Sequence, residues 1–175
     1  MDVAKCGFKD AMLADCPKES HKALLRCLSS KDPRTYQNEK GRNLLMEYLV
    51  CAKPIGADIV KFMVEEIQID LRQICFDEWN CLLWACANPT LTFDVVQVLL
   101  SSPDCNVNHT DSYNRSSMQQ YLYNNDCVDE DIVMLLNSKG YDFRKLSPTI
   151  LPIFLEIFVH NKKLPETVMM IFFHE

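Results

Sequence analysis

An all-α stack of paired helices is the fold class this sequence predicts, and three observations predict it. Three apolar stripes of helical spacing, each opened by an aspartate, recur along the chain: Asp58-Ile59-Val60-Lys61-Phe62-Met63-Val64, Asp94-Val95-Val96-Gln97-Val98-Leu99-Leu100 and Asp131-Ile132-Val133-Met134-Leu135-Leu136, their aspartates 36 and 37 residues apart. A further helical stripe accompanies each of them within the same period, so every unit holds two helices. Finally, the composition, 48% hydrophobic and 24% charged over 175 residues, supplies a core for one domain or one short repeat array.

Taken in order, residues 18–28 carry Ala23, Leu24, Leu25 and Leu28 on one helical face, and Ser29 to Pro33 end that helix. Residues 1–37 are read as N-terminal capping helices. Residues 38–146 hold three repeats. Their first helices are expected at Asn43-Leu44-Leu45-Met46-Glu47-Tyr48, Cys81-Leu82-Leu83-Trp84-Ala85-Cys86 and Ser116-Ser117-Met118-Gln119-Gln120-Tyr121, with Leu45, Leu83 and Met118 as equivalent core positions. The aspartate-led stripes are the second helices, where Asp58, Asp94 and Asp131 serve as caps or meet the helix dipole. Extended exits follow at residues 67–71, 103–108 and 139–143. Residues 147–175 form a C-terminal capping repeat: a helix over 150–160, a turn, and a helix over 164–172 in which Val168 lies 35 residues beyond Val133. A terminal repeat has one neighbour, so its sequence drifts toward whatever seals the stack.

The stretch Asp111-Ser112-Tyr113-Asn114-Arg115-Ser116-Ser117-Met118-Gln119-Gln120-Tyr121 lies on the pattern D-x-x-G-x-T-P-L-H-x-A, with Asn114 in the glycine place. Asparagine tolerates the left-handed backbone that glycine supplies there. Asn38-Glu39-Lys40-Gly41-Arg42-Asn43-Leu44-Leu45-Met46 keeps the glycine, and Phe76-Asp77-Glu78-Trp79-Asn80-Cys81-Leu82-Leu83 puts Trp79 in its place. These motifs and the 35–38-residue period resemble ankyrin repeats, and the divergent form is similar to the ankyrin proteins of large DNA viruses. The resemblance implies an ankyrin-repeat solenoid of stacked antiparallel helix pairs with short hairpin loops. HEAT, tetratricopeptide and leucine-rich repeats have different periods and internal patterns.

Several chemistries are disfavoured by the residues themselves. With 18 Lys+Arg against 24 Asp+Glu the net charge is −6, and no basic run is present to neutralise a phosphate backbone, so nucleic acid is not an expected partner. None of the four glycines lies in a Gly-rich nucleotide loop. The nine cysteines include no pair at zinc-knuckle spacing, and the nearest pair, Cys81 and Cys86, falls on different helix faces. No His, Asp, Glu, Ser or Cys constellation suggests catalysis. The expectation is therefore no enzyme, no cofactor, no metal and no small-molecule substrate. Residues 1–8 lack the features of a signal peptide and no apolar run reaches membrane-spanning length, so the thiols are expected to be reduced and the chain cytoplasmic or nuclear. The sequons at Asn108 and Asn114 are then incidental.

In ankyrin proteins the hairpin tips and the concave faces of the first helices bind partners, which by resemblance nominates Glu39, Lys40, Arg42, Asp77, Glu78, Trp79, Asn80, Ser112, Tyr113 and Arg115. Asn88, Pro89 and Tyr123 follow the first helices and are further candidates. Trp79, expected on a tip beside Asp77 and Glu78, either anchors a partner or folds over the adjacent hairpin; Trp84, Tyr48 and Tyr121 either fill the core or line the concave face. The mixture of acidic, basic and aromatic groups suits a protein partner. The expected function is a non-catalytic interaction module, of the kind in which a viral protein inhibits host immune signalling by mimicking an inhibitor of Rel-type transcription factors. The alternative is a substrate adaptor of a cullin-type ubiquitin ligase, because Leu164-Pro165-Glu166-Thr167-Val168-Met169-Met170-Ile171-Phe172 is similar to the opening of an F-box and the close of a SOCS box.

Overall fold

Local capping decides where the helices begin. The computed structural model describes residues 3–125, 127–143 and 165–173. Its helices are α1 (Val3–Ala14), a 3-10 turn (Lys18–Ser20), α2 (His21–Leu28), α3 (Leu44–Cys51), α4 (Ala57–Glu65), α5 (Cys81–Cys86), α6 (Phe93–Ser101), α7 (Ser117–Asn124), α8 (Glu130–Ser138) and α9 (Glu166–Phe173). Among the described residues no strand forms beyond one bridge between Thr110 and Ser116, so this part of the chain is all-α. The helix expected over 150–160 lies outside the described residues.

At α3, α5 and α7 the side chain of the preceding residue satisfies an otherwise orphaned backbone donor. The Met46 N–H donates to Asn43 Oδ1 (2.9 Å) and the Leu83 N–H to Asn80 Oδ1 (2.9 Å). At α7 the cap is reciprocal: the Gln119 N–H donates to Ser116 Oγ while the Ser116 N–H donates to Gln119 Oε1 (2.6 Å). At the second helices the leading aspartates take the dipole role and not the capping one. The caps there are Gly56, Thr92 and Asp129, and Asp58, Asp94 and Asp131 sit inside the first turn, where the helix dipole favours their charge.

First helices pack on first helices (α3 on α5, α5 on α7) and second on second (α4 on α6, α6 on α8). At one end α2 packs on α3 and α1 on α4; at the other α9 packs on α8. One apolar core runs through these layers from Phe8 and Met12 to Val168. Leu45, Leu83 and Met118 are all fully buried, as expected. The alignment behind Leu83 is nevertheless one residue out, since counting from the caps Asn43, Asn80 and Ser116 makes Leu45, Leu82 and Met118 the equivalent set, and Leu82 is also fully buried.

Two tyrosines repeat one further device. The fifth residues of α3 and α7, Tyr48 and Tyr121, are buried, and their hydroxyls accept the cap N–H of the following helix, Gly56 for Tyr48 and Asp129 for Tyr121, each at 2.8 Å. The Tyr48 hydroxyl in turn donates to Asp15 Oδ2 (2.6 Å), holding the end of α1 against the repeats. Ala85 stands in that place in α5. There the buried Asn88 ties neighbouring units instead, donating to the carbonyls of Leu49 (2.8 Å) and Ala52 (2.9 Å).

Candidate protein-binding surface

Three loops of identical hydrogen bonding precede the first helices. In the first, the Gly41 N–H donates to the Asn38 carbonyl (2.9 Å) and the Asn38 N–H to that of Arg42 (2.9 Å). The second repeats this with Glu78 to Cys75 (2.9 Å) and Cys75 to Trp79 (3.0 Å), and the third with Asn114 to Asp111 (2.8 Å) and Asp111 to Arg115 (3.1 Å). Each loop holds one residue with positive φ: Gly41 at 74°, Glu78 at 60° and Asn114 at 60°. Asn114 therefore takes the glycine place as expected. Trp79 does not; Glu78 does, and the whole middle hairpin moves by one residue relative to the sequence alignment.

Further bonds join the tips into one edge. The Phe76 N–H donates to the Lys40 carbonyl (3.2 Å), Gln37 Nε2 donates to the Ile74 carbonyl (3.1 Å), and His109 Nε2 meets the Glu78 carbonyl at 2.6 Å. The ring of Phe76 lies over Gly41, where a Cβ would come within 2.8 Å of Cδ1 and 3.0 Å of the Phe76 nitrogen. Glycine is required at that position by both the positive φ and the close approach.

With the register shifted, Arg42, Trp79 and Arg115 become equivalent residues of the three tips. Trp79 is half-buried and not surrounded by solvent, and of the two places expected for it the structure shows the packed one. Its ring packs on Trp84 of α5 with centroids 4.4 Å apart and planes at 46°, and its Nε1–H donates to Asp111 Oδ2 (3.0 Å). The Arg42 guanidinium covers Trp84 at 4.3 Å, and the Arg115 guanidinium lies 5.6 Å from Trp79 and 5.0 Å from Tyr113. The stacked pair Trp84–Trp79 is thus flanked by Arg42 on one side and by Arg115 and then Tyr113 on the other along the edge of the first helices.

Both cations are neutralised. Arg42 Nη1 lies 3.6 Å from the buried Glu47 carboxylate, whose Oε1 also accepts from Asn38 Nδ2 (2.6 Å). Arg115 grips Asp111 through Nε (2.8 Å) and Nη2 (2.7 Å), and the Tyr113 and Arg115 N–H groups donate to Asp111 Oδ1. Burial pushes the Asp111 carboxyl up, but the hydrogen bonds and charge of Arg115, with the Tyr113 N–H, outweigh it and hold the group below the usual carboxylate range.

Of the candidates named from sequence, Glu39, Lys40, Asp77, Glu78, Ser112, Tyr113, Arg115, Pro89 and Tyr123 are exposed. Arg42 is largely covered. Asn80 and Asn88 are buried and spent on structure, Asn80 as the α5 cap and as donor to the Asn106 carbonyl (3.2 Å), so neither is available to a partner. Tyr48 and Tyr121 belong to the core, whereas Trp84 borders a groove of about 150 Å³ with Leu49, Val50, Lys53, Ala87, Asn88 and Pro89. Phe76 is the exposed aromatic that sequence reasoning passed over, at 76% exposure equal to Tyr113 and close to Tyr123 at 75%. A polar residue is the usual occupant of a hairpin tip, and a phenylalanine between Cys75 and Asp77 was the available signal.

Among the described residues no three His, Cys, Asp or Glu side chains gather as a metal ion would require, and no helix is long and apolar enough to cross a membrane. No protein-family model matches the chain, and no curated protein matches it.

Proposed function

We propose that the chain is an ankyrin-like solenoid that works as a non-catalytic protein-binding module through the edge formed by its hairpin tips. The observation that carries this reading is the same tip geometry at residues 38–42, 75–79 and 111–115, stacked by main-chain and histidine bonds into one surface. Such a surface is organised before a partner arrives, which reduces the ordering cost of association. Tyr113 and Arg115 project from it on a framework held by Asp111, and aromatic and arginine side chains are the commonest interface anchors. Through the similarity of its divergent motifs to the ankyrin proteins of large DNA viruses, the proposal extends to a viral inhibitor of host immune signalling that mimics an inhibitor of Rel-type transcription factors.

Affinity capture from a cell extract containing Rel-type factors, with the wild-type chain and with Tyr113→Ala/Arg115→Ala, tests this. The wild type should retain a Rel-type factor, and the double variant should bind it with a loss of roughly 2 kcal/mol. Retention of a cullin adaptor instead, or equal binding by a folded double variant, would overturn the reading.

A further inference from the structure

We propose that Phe76 is the central anchor of the tip edge and that the segment it docks is a Lys/Arg-bearing stretch of a protein partner. The inference rests on the protein-binding reading above and adds the partner's chemistry.

The fold makes little use of this ring. Phe76 is 76% exposed, it is absent from the core, and the apolar packing of its tip is supplied by Trp79 on Trp84. Its position is nonetheless set, because its N–H is bound to the Lys40 carbonyl and its ring rests over Gly41. A large apolar side chain held in place and left open to water is a preorganised anchor.

Charge names the partner. Beside Phe76, tips one and two expose Glu39, Asp77 and Glu78 against one exposed cation, Lys40, while Arg42 and Arg115 are already matched by Glu47 and Asp111. Among the described residues none of Glu39, Asp77 and Glu78 forms an ion pair. The chain's net charge of −6 adds a long-range field of the same sign, which speeds the approach of a cationic segment and repels nucleic acid. An apolar residue flanked by Lys or Arg complements this edge; an acidic or neutral segment leaves the carboxylates uncompensated.

The test is selection of a random peptide display library on the immobilised full-length chain, followed by fluorescence anisotropy of synthetic copies of the selected peptides at low and high salt. Selected sequences should be enriched in Lys or Arg beside an apolar residue. Phe76→Ala should weaken them about 10-fold or more, and Asp77→Asn/Glu78→Gln several-fold with a flatter salt dependence, at unchanged urea midpoints. No binders, or binders lacking basic residues, would overturn the proposal. Peptides that lose affinity with Tyr113→Ala/Arg115→Ala yet keep it with Phe76→Ala would overturn the role of Phe76 while leaving the protein-binding reading in place.

Discussion

Asp111 concentrates more of the tip's organisation than any other side chain there. Its carboxylate accepts from Trp79 Nε1, from the Arg115 guanidinium and from the N–H groups of Tyr113 and Arg115, while itself being buried. Removing one charge here leaves those donors competing for a weaker acceptor, so Asp111→Asn should cost about 1–3 kcal/mol at neutral pH. The pH dependence follows from the depressed folded-state value. Because the group titrates lower in the folded chain than in the unfolded one, its contribution is complete above an unfolded carboxylate value of about 4 and is lost as pH falls through the lower folded one. Urea midpoints of wild type and Asp111→Asn measured from pH 7 to pH 2 should therefore converge on the acid side. A gap that stays constant would mean that the charge of Asp111 contributes nothing.

At the scale of the element, the hairpin and the helix behind it share one register. The caps at residues 43, 80 and 116 place the left-handed residue two positions earlier in every unit, at 41, 78 and 114. A glutamate pays a steric penalty in that conformation that glycine does not, so Glu78→Gly should raise stability by about 0.5–1 kcal/mol. Trp79→Gly should lower it, since the indole packs on Trp84 and binds Asp111. In the same way Leu82→Ala and Met118→Ala, which remove side chains from equivalent and fully buried places, should each cost roughly 2–5 kcal/mol in urea denaturation. A stabilised Trp79→Gly with a destabilised Glu78→Gly would restore the other register.

Across the whole molecule the thiols report the continuity of the core. Burial pushes Cys16 and Cys27 up to about 12, and raises Cys81 and Cys86 as well, so all four stay protonated near neutrality as well as shielded. Cys127 is exposed. A chromogenic disulfide reagent at pH 8 should label Cys127 at once and those four only on unfolding, with site assignment by mass spectrometry. Prompt labelling of Cys81 or Cys86 would show that the stack opens between its repeats.

The sequence by itself determined that the described residues are helical, how far apart the units recur, where the first helices start and which stripes face inward, because these depend on periodicity and on capping residues a few positions away. It also pointed to Asn114 as a left-handed residue, since the motif around it keeps its aspartate, serine and leucine-like positions. Only the tertiary structure decided the middle unit. There a cysteine replaces the Asn or Asp that opens the other tips, no glycine marks the turn, and the register is set by contacts within the unit, Trp79 on Trp84, and between units: Phe76 on the Lys40 carbonyl, Trp79 on Asp111, His109 on the Glu78 carbonyl. Those partners lie 5 to 36 residues away from the side chains they fix. The same contacts half-buried Trp79 and left Phe76 in the open, which no count of residues along the chain distinguishes.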